Sequence, residues 1–294
     1  DLNRDWAWLT QVESQQRLKE FNKWLPHVHV DFHEQGMNNP YYFAPAAEPY
    51  HEVVTDFQRD FQKTIGKNHA KYFDANGWFY FTKEVFDLLY PSYGDTYPTY
   101  NGGIGMTYEQ GGSGRAGLGV ITSIGDTLTL KDRIAHHYTT GLSTVEVAHN
   151  NAQKLNDEFK KFYNNKNFKY KSYVLNGNSD KLNKLARLLD QHKIEYGFGT
   201  NTAVKGFNYN TGKNGSMQVS ENSMVVSTDQ PKGTLVKVLF EPKAKLSDSV
   251  TYDITAWSLP YAYGLDAIAS ESSVNQNTKM IGTLSATDKV NASN

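Results

Sequence analysis

The sequence predicts an α/β protein in two regions, a larger one over residues 1–163 and a smaller α/β domain over 164–294. Three observations carry this. Strand-like stretches rich in β-branched and aromatic residues alternate with segments of helical apolar spacing through the first half. The amphipathic segment Leu128 to Phe162 runs into the lysine- and asparagine-rich KKFYNNKNFK, the best linker in the chain. Beyond it YKSYVL, SDKLNKLARLLDQH and KIEYGF read as strand, helix and strand, the opening of a βαβ unit.

In order, Val12, Leu18, Phe21, Trp24 and Leu25 recur at helical spacing between Thr10 and Leu25, and Pro26 stops that helix. The alternating VHVDFH follows as a strand. Residues 34–50, with Gly36, Asn38, Asn39, Pro40, Pro45 and Pro49, read as a loop, and a helix follows from about His51 to Phe73. A second aromatic loop, YPSYGDTYPTYNGG, leads into the apolar strand IGMTYE. After the βαβ opening, NSMVVST, KGTLVKVLF and TYDITAW alternate strand-like and helix-like pieces, and no internal repeat is visible.

Composition narrows the function. Of 294 residues 38% are hydrophobic, enough for two cores, and 30 Lys and Arg against 31 Asp and Glu provide no net field for nucleic acid or an anionic membrane. No apolar run approaches a membrane span. The absence of cysteine removes disulfides, thiolate zinc sites and cysteine nucleophiles together. The chain opens on Asp1 and ends in the polar TDKVNASN, which reads as a cleaved or excised piece of a longer protein.

HVHVDFHEQG would set His27, His29, Asp31 and His33 on one face of a strand. Its Phe32 breaks the H-x-H-x-D-H order of metallo-β-lactamase-like hydrolases. GGSGRAG at 111–117 contains G-x-G-x-x-G after a strand, but β-branched residues follow instead of a helix, so it reads as a flexible glycine loop and not a dinucleotide fingerprint. Arg115 excludes a nucleophile elbow there, and HKIE at 192–195 reads as a helix end and a strand start.

NRDW at 3–6, DFHEQG at 31–36 and TYEQGG at 107–112 occur in that order. Together with T-x-x-E at Thr10 to Glu13 and YYFAPA after HEQG, this order resembles the zinc carboxypeptidases of the carboxypeptidase A type, over about residues 1–160. The resemblance implies part of a mixed sheet with flanking helices and a peptide substrate. It implies that Asn3 and Arg4 grip a terminal carboxylate, that His33 is a zinc ligand and that Glu109 is the general acid/base. It also implies a mobile tyrosine over the substrate; Tyr90, Tyr93, Tyr97 and Tyr100 share the loop before Glu109, and Tyr93, beside Gly94, is preferred. His27 and His29 would stand behind His33, Asp31 would be its supporting partner, and the glycine loop at 111–114 would border the same cleft.

The chemistry needs these residue types. A peptidase zinc takes three protein ligands and a water, and a carboxylate moves the water's proton to the leaving amine. The forked guanidinium of arginine grips a carboxylate in two places, which lysine cannot do. The family's H-x-x-E pair precedes its Asn-Arg, so the two remaining zinc ligands are expected upstream of this chain, in a missing N-terminal part of the same protein. The resemblance extends to STDQPKGTLVKVLFEP and DSVTYDITAWSLPYAYGL, similar to segments after the peptidase domain in large bacterial members, and implies a periplasmic or extracellular location. The alternative expectation is a non-catalytic peptide- or glycan-binding module of the cell envelope.

Overall fold

A computed structural model describes residues 1–164, 167–246, 251–252 and 256–277. The chain is of mixed α/β class and divides into two units, one of Asp1–Asn165 with Lys243–Trp257, the other of Lys166–Pro242 with Ser258–Asn294. Lys243–Trp257, which the sequence reading places in the second region, thus joins the first: the Tyr252 ring lies 5.4 Å from that of Phe86, and Trp257 lies 6.1 Å from Tyr90. Part of TYDITAW, residues 253–255, lies outside the described residues.

In the first unit the 3-10 turn Leu2–Arg4 precedes α1 (Val12–Trp24), which buries Leu18 and Phe21 and ends where Leu25 turns left-handed (φ 41°) ahead of Pro26. Strand β1 (Val28–Gln35) follows. The expected loop 34–50 holds two short strands, β2 (Tyr41–Tyr42) and β3 (Ala47–Tyr50). Their long-range partners, Glu109 opposite Tyr42, and Asp87 and Leu88 opposite Ala47 and Tyr50, stabilise extended backbone that the local turn formers disfavour. Helix α2 (Asp56–Asn76) starts at a capping box between Thr55 and Gln58 and ends at Gly77 (φ 68°). Then come β4 (Tyr80–Phe81), β5 (Asp87–Leu88), the single turn α3 (Thr96–Thr99), β6 (Ile104–Gly111), the hairpin β7 (Gly119–Ile121) and β8 (Thr127–Thr129), and two helices, α4 (Leu130–Asn150) and α5 (Ala152–Tyr163). The amphipathic run expected as one segment from Leu128 to Phe162 therefore breaks at Asn151, whose side chain bonds back to the Val147 carbonyl at 2.8 Å.

The main sheet has the order β1-β6-β2-β4. β1 and β6 are parallel, with Val28 opposite Ile104 and His33 opposite Glu109, while β2 runs antiparallel to β6 with Tyr42 opposite Glu109. One face packs on α2 and α4 through Tyr41, Phe61, Ile65, Phe73, Met106 and Tyr108, with Val28 and Val30 against them. The alternate residues of β1, namely His29, Asp31 and His33, therefore face the other way, where the His29 ring meets Trp6 and Phe21 edge-on. His27 precedes the strand and does not share that face as expected; it rests on the Phe159 ring at 4.3 Å.

A buried polar chain ties this unit together: His69 bonds Ser143 at 2.7 Å and the Tyr108 hydroxyl at 2.9 Å, and Tyr108 bonds Thr144 at 2.7 Å. Burial pushes the His69 imidazole down to about 3, so it sits neutral among these hydroxyls. β6 is buried along its whole length but β1, at the edge of the sheet, is only half-buried. Nearby α4 exposes Leu130, Ile134, Tyr138, Leu142 and Val145, an apolar stripe repeating almost every fourth residue. No helix among the described residues is long and apolar enough to cross a membrane.

The second unit is a seven-stranded sheet, order β12-β11-β14-β9-β13-β10-β15, of β9 (Ser172–Asn176), β10 (Gly197–Gly199), β11 (Thr202–Asn208), β12 (Lys213–Val219), β13 (Met224–Ser227), β14 (Asp266–Ser270) and β15 (Gln276–Asn277). Its helices are α6 (Ser179–His192), α7 (Gly233–Phe240) and α8 (Leu259–Ala262). The expected strand, helix and strand are β9, α6 and β10, but β13 lies between the strands and is antiparallel to both, a split β-α-β arrangement. Only Gly197–Gly199 of the expected KIEYGF is strand. Glu195 instead pairs with the Gln230 side chain, donating from its backbone N–H at 2.7 Å and accepting at its carbonyl at 2.8 Å.

Candidate catalytic cleft

Asn3, Arg4, His33, Tyr93 and Glu109, drawn from four separate stretches of sequence, line one cleft of about 230 Å³ in the first unit. The topology accounts for this. β1 and β6 are parallel and in register, so His33 and Glu109 emerge side by side near the carboxyl ends of neighbouring strands, where open α/β sheets bind ligands. Glu34, Asp87, Asp95, Thr107 and Tyr252 complete most of the wall.

Asn3 is fixed from both ends. Its Oδ1 accepts from the Gly94 backbone N–H at 2.8 Å, which orients the amide so that Nδ2 approaches His33 Nε2 at 2.9 Å. Asp31 Oδ2 lies 2.9 Å from the same nitrogen. Nε2 cannot accept from Asn3 and donate to Asp31 together, so the neutral Nδ1–H tautomer answers Asn3, and a ring protonated at Nε2 answers Asp31. The Asp31 bond holds the His33 imidazole above its ordinary range, against the opposing pull of burial. Gly94 permits this approach, since a Cβ there would sit 2.2 Å from Asp31 Oδ2. Replacing Asp31→Asn is expected to lower the His33 pKa, read from its imidazole resonances in an NMR pH titration; an unchanged midpoint would show that Asp31 does not hold the ring.

Glu109 is only 7% exposed, and its Oε2 has no hydrogen-bond partner among the described residues. Burial pushes its carboxyl up to about 7; His33 opposes the rise, while Asp31, Asp95 and Glu34 add to it. Asp95 is buried beside it and is likewise pushed up to about 7, although Thr107 Oγ1 donates to it at 3.0 Å and the Thr96 N–H at 2.7 Å. Two neighbouring carboxyls thus share a poorly solvated site and sit near neutrality, the condition in which a carboxylate exchanges a proton readily at physiological pH.

Arg4 stands at the mouth, its guanidinium 4.3 Å from the Tyr93 ring centroid and 3.8 Å from the Asp1 carboxylate. Tyr90, Tyr93, Tyr97 and Tyr100 are all buried, and Tyr93 is the one that lines the cleft. The glycine loop does not border it as expected. The N–H groups of Gly112 and Ser113 both donate to the Gln35 carbonyl, and this folds the loop back over the strand end.

Sequence reasoning missed Asp87, Asp95 and Tyr252. The signal for Asp95 lies in GDT: an aspartate directly before a short helix, capping the Thr96 N–H. Tyr252 donates its backbone N–H to Asp87 Oδ2 at 2.8 Å across a long sequence separation, and no local pattern encodes that contact.

Among the described residues no three His, Asp or Glu side chains are grouped to hold a metal ion. His33 nevertheless fits one ligand of such a set: its Nε2 is held by Asp31, and no described residue bonds its Nδ1, the arrangement in which a carboxylate orients a ligating imidazole. Compared with family models, curated proteins and solved structures, the chain matches none.

Proposed function

We propose that this chain is the C-terminal part of a zinc-dependent carboxypeptidase domain, followed by an accessory α/β domain, which removes C-terminal residues from peptides in the periplasm or outside the cell. The observation that carries the reading is Glu109: a buried carboxylate whose Oε2 has no partner among the described residues, pushed up to about 7, beside His33 and within the cleft that Arg4 also lines. Zinc, held by His33 and two ligands from the preceding part of the protein, would supply Lewis acidity and a water of lowered pKa. Glu109 would be the group that holds a proton in the cleft and passes it to the leaving amine. Arg4 would bind the terminal carboxylate, and Asp31 would accept from His33 Nε2 and leave Nδ1 to the ion, with Asn3 held beside them by the Gly94 N–H.

The half-buried edge strand β1 and the exposed apolar stripe of α4 support the incomplete-domain part of the reading, because a parallel strand pair is ordinarily covered and flanked by further elements. A second reading draws on the Arg4 guanidinium stacked on Tyr93 at the cleft: a binding module that grips peptide or glycan ends without metal chemistry.

Calorimetric zinc titration separates the two. The 294-residue chain is expected to bind zinc weakly, and the longer protein to bind one ion tightly and release C-terminal residues from a peptide panel. Tight stoichiometric binding by the 294-residue chain, or a longer protein that neither binds zinc nor cleaves, would overturn the proposal.

A further inference from the structure

A second pocket in the first unit, about 360 Å³ and within the range of small-molecule sites, lies between the end of α2, the β7–β8 hairpin and the start of α4. Its floor is His136, 8% exposed, whose Nδ1 bonds Gln110 Oε1 at 2.8 Å. The Gln110 amide is itself oriented by donation from Nε2 to the Gly111 carbonyl, so Oε1 must accept and His136 must carry its proton on Nδ1. Its Nε2 has no hydrogen-bond partner among the described residues and less than 1 Å² of accessible surface, so the pocket meets the ring and not this atom. Burial keeps the ring uncharged, pushed down to about 4.

Around the His136 ring stand an aromatic shelf and a polar rim. The Trp78 ring meets His136 edge-on at 4.6 Å, and Phe79 beside it is 67% exposed. Asn38 uses its Oδ1 to accept from the Ser123 N–H at 2.9 Å, leaving Nδ2 to donate, and no described residue bonds the Asp126 carboxylate. Among the described residues no lysine or arginine lines the pocket, whereas Asp126 and Asp132 do, which disfavours phosphates and carboxylates.

We propose that this pocket binds a ring of a neutral saccharide, its C–H face on Phe79 and Trp78, with hydroxyls bonding Asn38 and Asp126. An exposed aromatic face and a mixed donor and acceptor rim match a polyhydroxylated ring better than a charged or purely apolar ligand. The inference rests on this pocket alone and does not depend on the reading of the Glu109 cleft.

The test is saturation-transfer NMR of the 294-residue chain with cellobiose, maltose and N,N′-diacetylchitobiose, with glucose 1-phosphate and adenosine as contrasts, followed by titration on tryptophan fluorescence. At least one disaccharide is expected to receive saturation at its ring C–H protons. Phe79→Ala, at an exposed position that leaves the core intact, is expected to weaken binding about tenfold, and Asn38→Ala to weaken it as well. Glu109→Gln is expected to bind as the parent does, which separates this site from the cleft. No transfer to any disaccharide, a preference for adenosine or the phosphate, or a Phe79→Ala chain that binds as tightly as the parent would each overturn the proposal.

Discussion

Glu109→Gln, introduced into a protein that carries the whole zinc set, is expected to lower peptide hydrolysis by roughly 10²–10⁴-fold, the contribution of a general acid/base. Glutamine keeps the size of the side chain and an acceptor oxygen but cannot take the water's proton. Arg4 and His33 remain, so zinc content and peptide affinity should change little, and the loss should fall on kcat more than on KM. The measurement is steady-state release of C-terminal residues with bound zinc determined in each preparation. Near-parental turnover with zinc in place would remove Glu109 from the mechanism and leave the binding-module reading ahead.

The second large effect concerns stability. Asp95 has a folded pKa raised to about 7, chiefly by burial. Between roughly pH 4 and 7 the folded chain retains a proton that the unfolded chain gives up, so stability falls as pH rises through that window, and the full penalty stands above it. Glu109, raised to about 7 by the same cause, acts in the same direction. Asp95→Asn removes one of the two penalties and keeps an acceptor for the Thr96 N–H. In the 294-residue chain it is expected to stabilise the first unit by about 1–3 kcal/mol at pH 8 and to have little effect at pH 4. Calorimetric melting at both pH values decides this. An equal effect at the two, or a loss at pH 8, would show that Asp95 carries no buried charge there. Such a stabilised chain should also lose function if the acidic cluster tunes Glu109, the usual trade between a strained site and activity.

The sequence showed most where one local pattern settles the answer. The 3.6-residue spacing before Pro26 became α1, the alternation in VHVDFH became β1, and SDKLNKLARLLDQH became α6. It showed less where a distant partner decides. Tyr41–Tyr42 is strand because β6 and β4 lie on either side, although Asn39 and Pro40 argue for a loop. β13, entering between β9 and β10, could not be read from the strands it separates. The cleft followed the same rule. Asn3, Arg4, His33 and Glu109, which line one cleft, stand out as candidates in the sequence because they sit in short motifs in a fixed order, whereas Asp87 and Tyr252 meet only through folding.

The return of Lys243–Trp257 to the first unit has a consequence for synthesis. A nascent chain released from the ribosome through Asn165 already holds α1–α5 and the β1–β6 pair, yet lacks the residue that donates to Asp87 and walls one side of the cleft. At roughly 5–20 residues per second, translation of Lys166–Pro242 keeps that wall missing for on the order of ten seconds, while much of the second unit's sequence emerges. A gene cut at the apparent boundary would make this interval permanent, so the cleft is a product of the chain on both sides of that boundary.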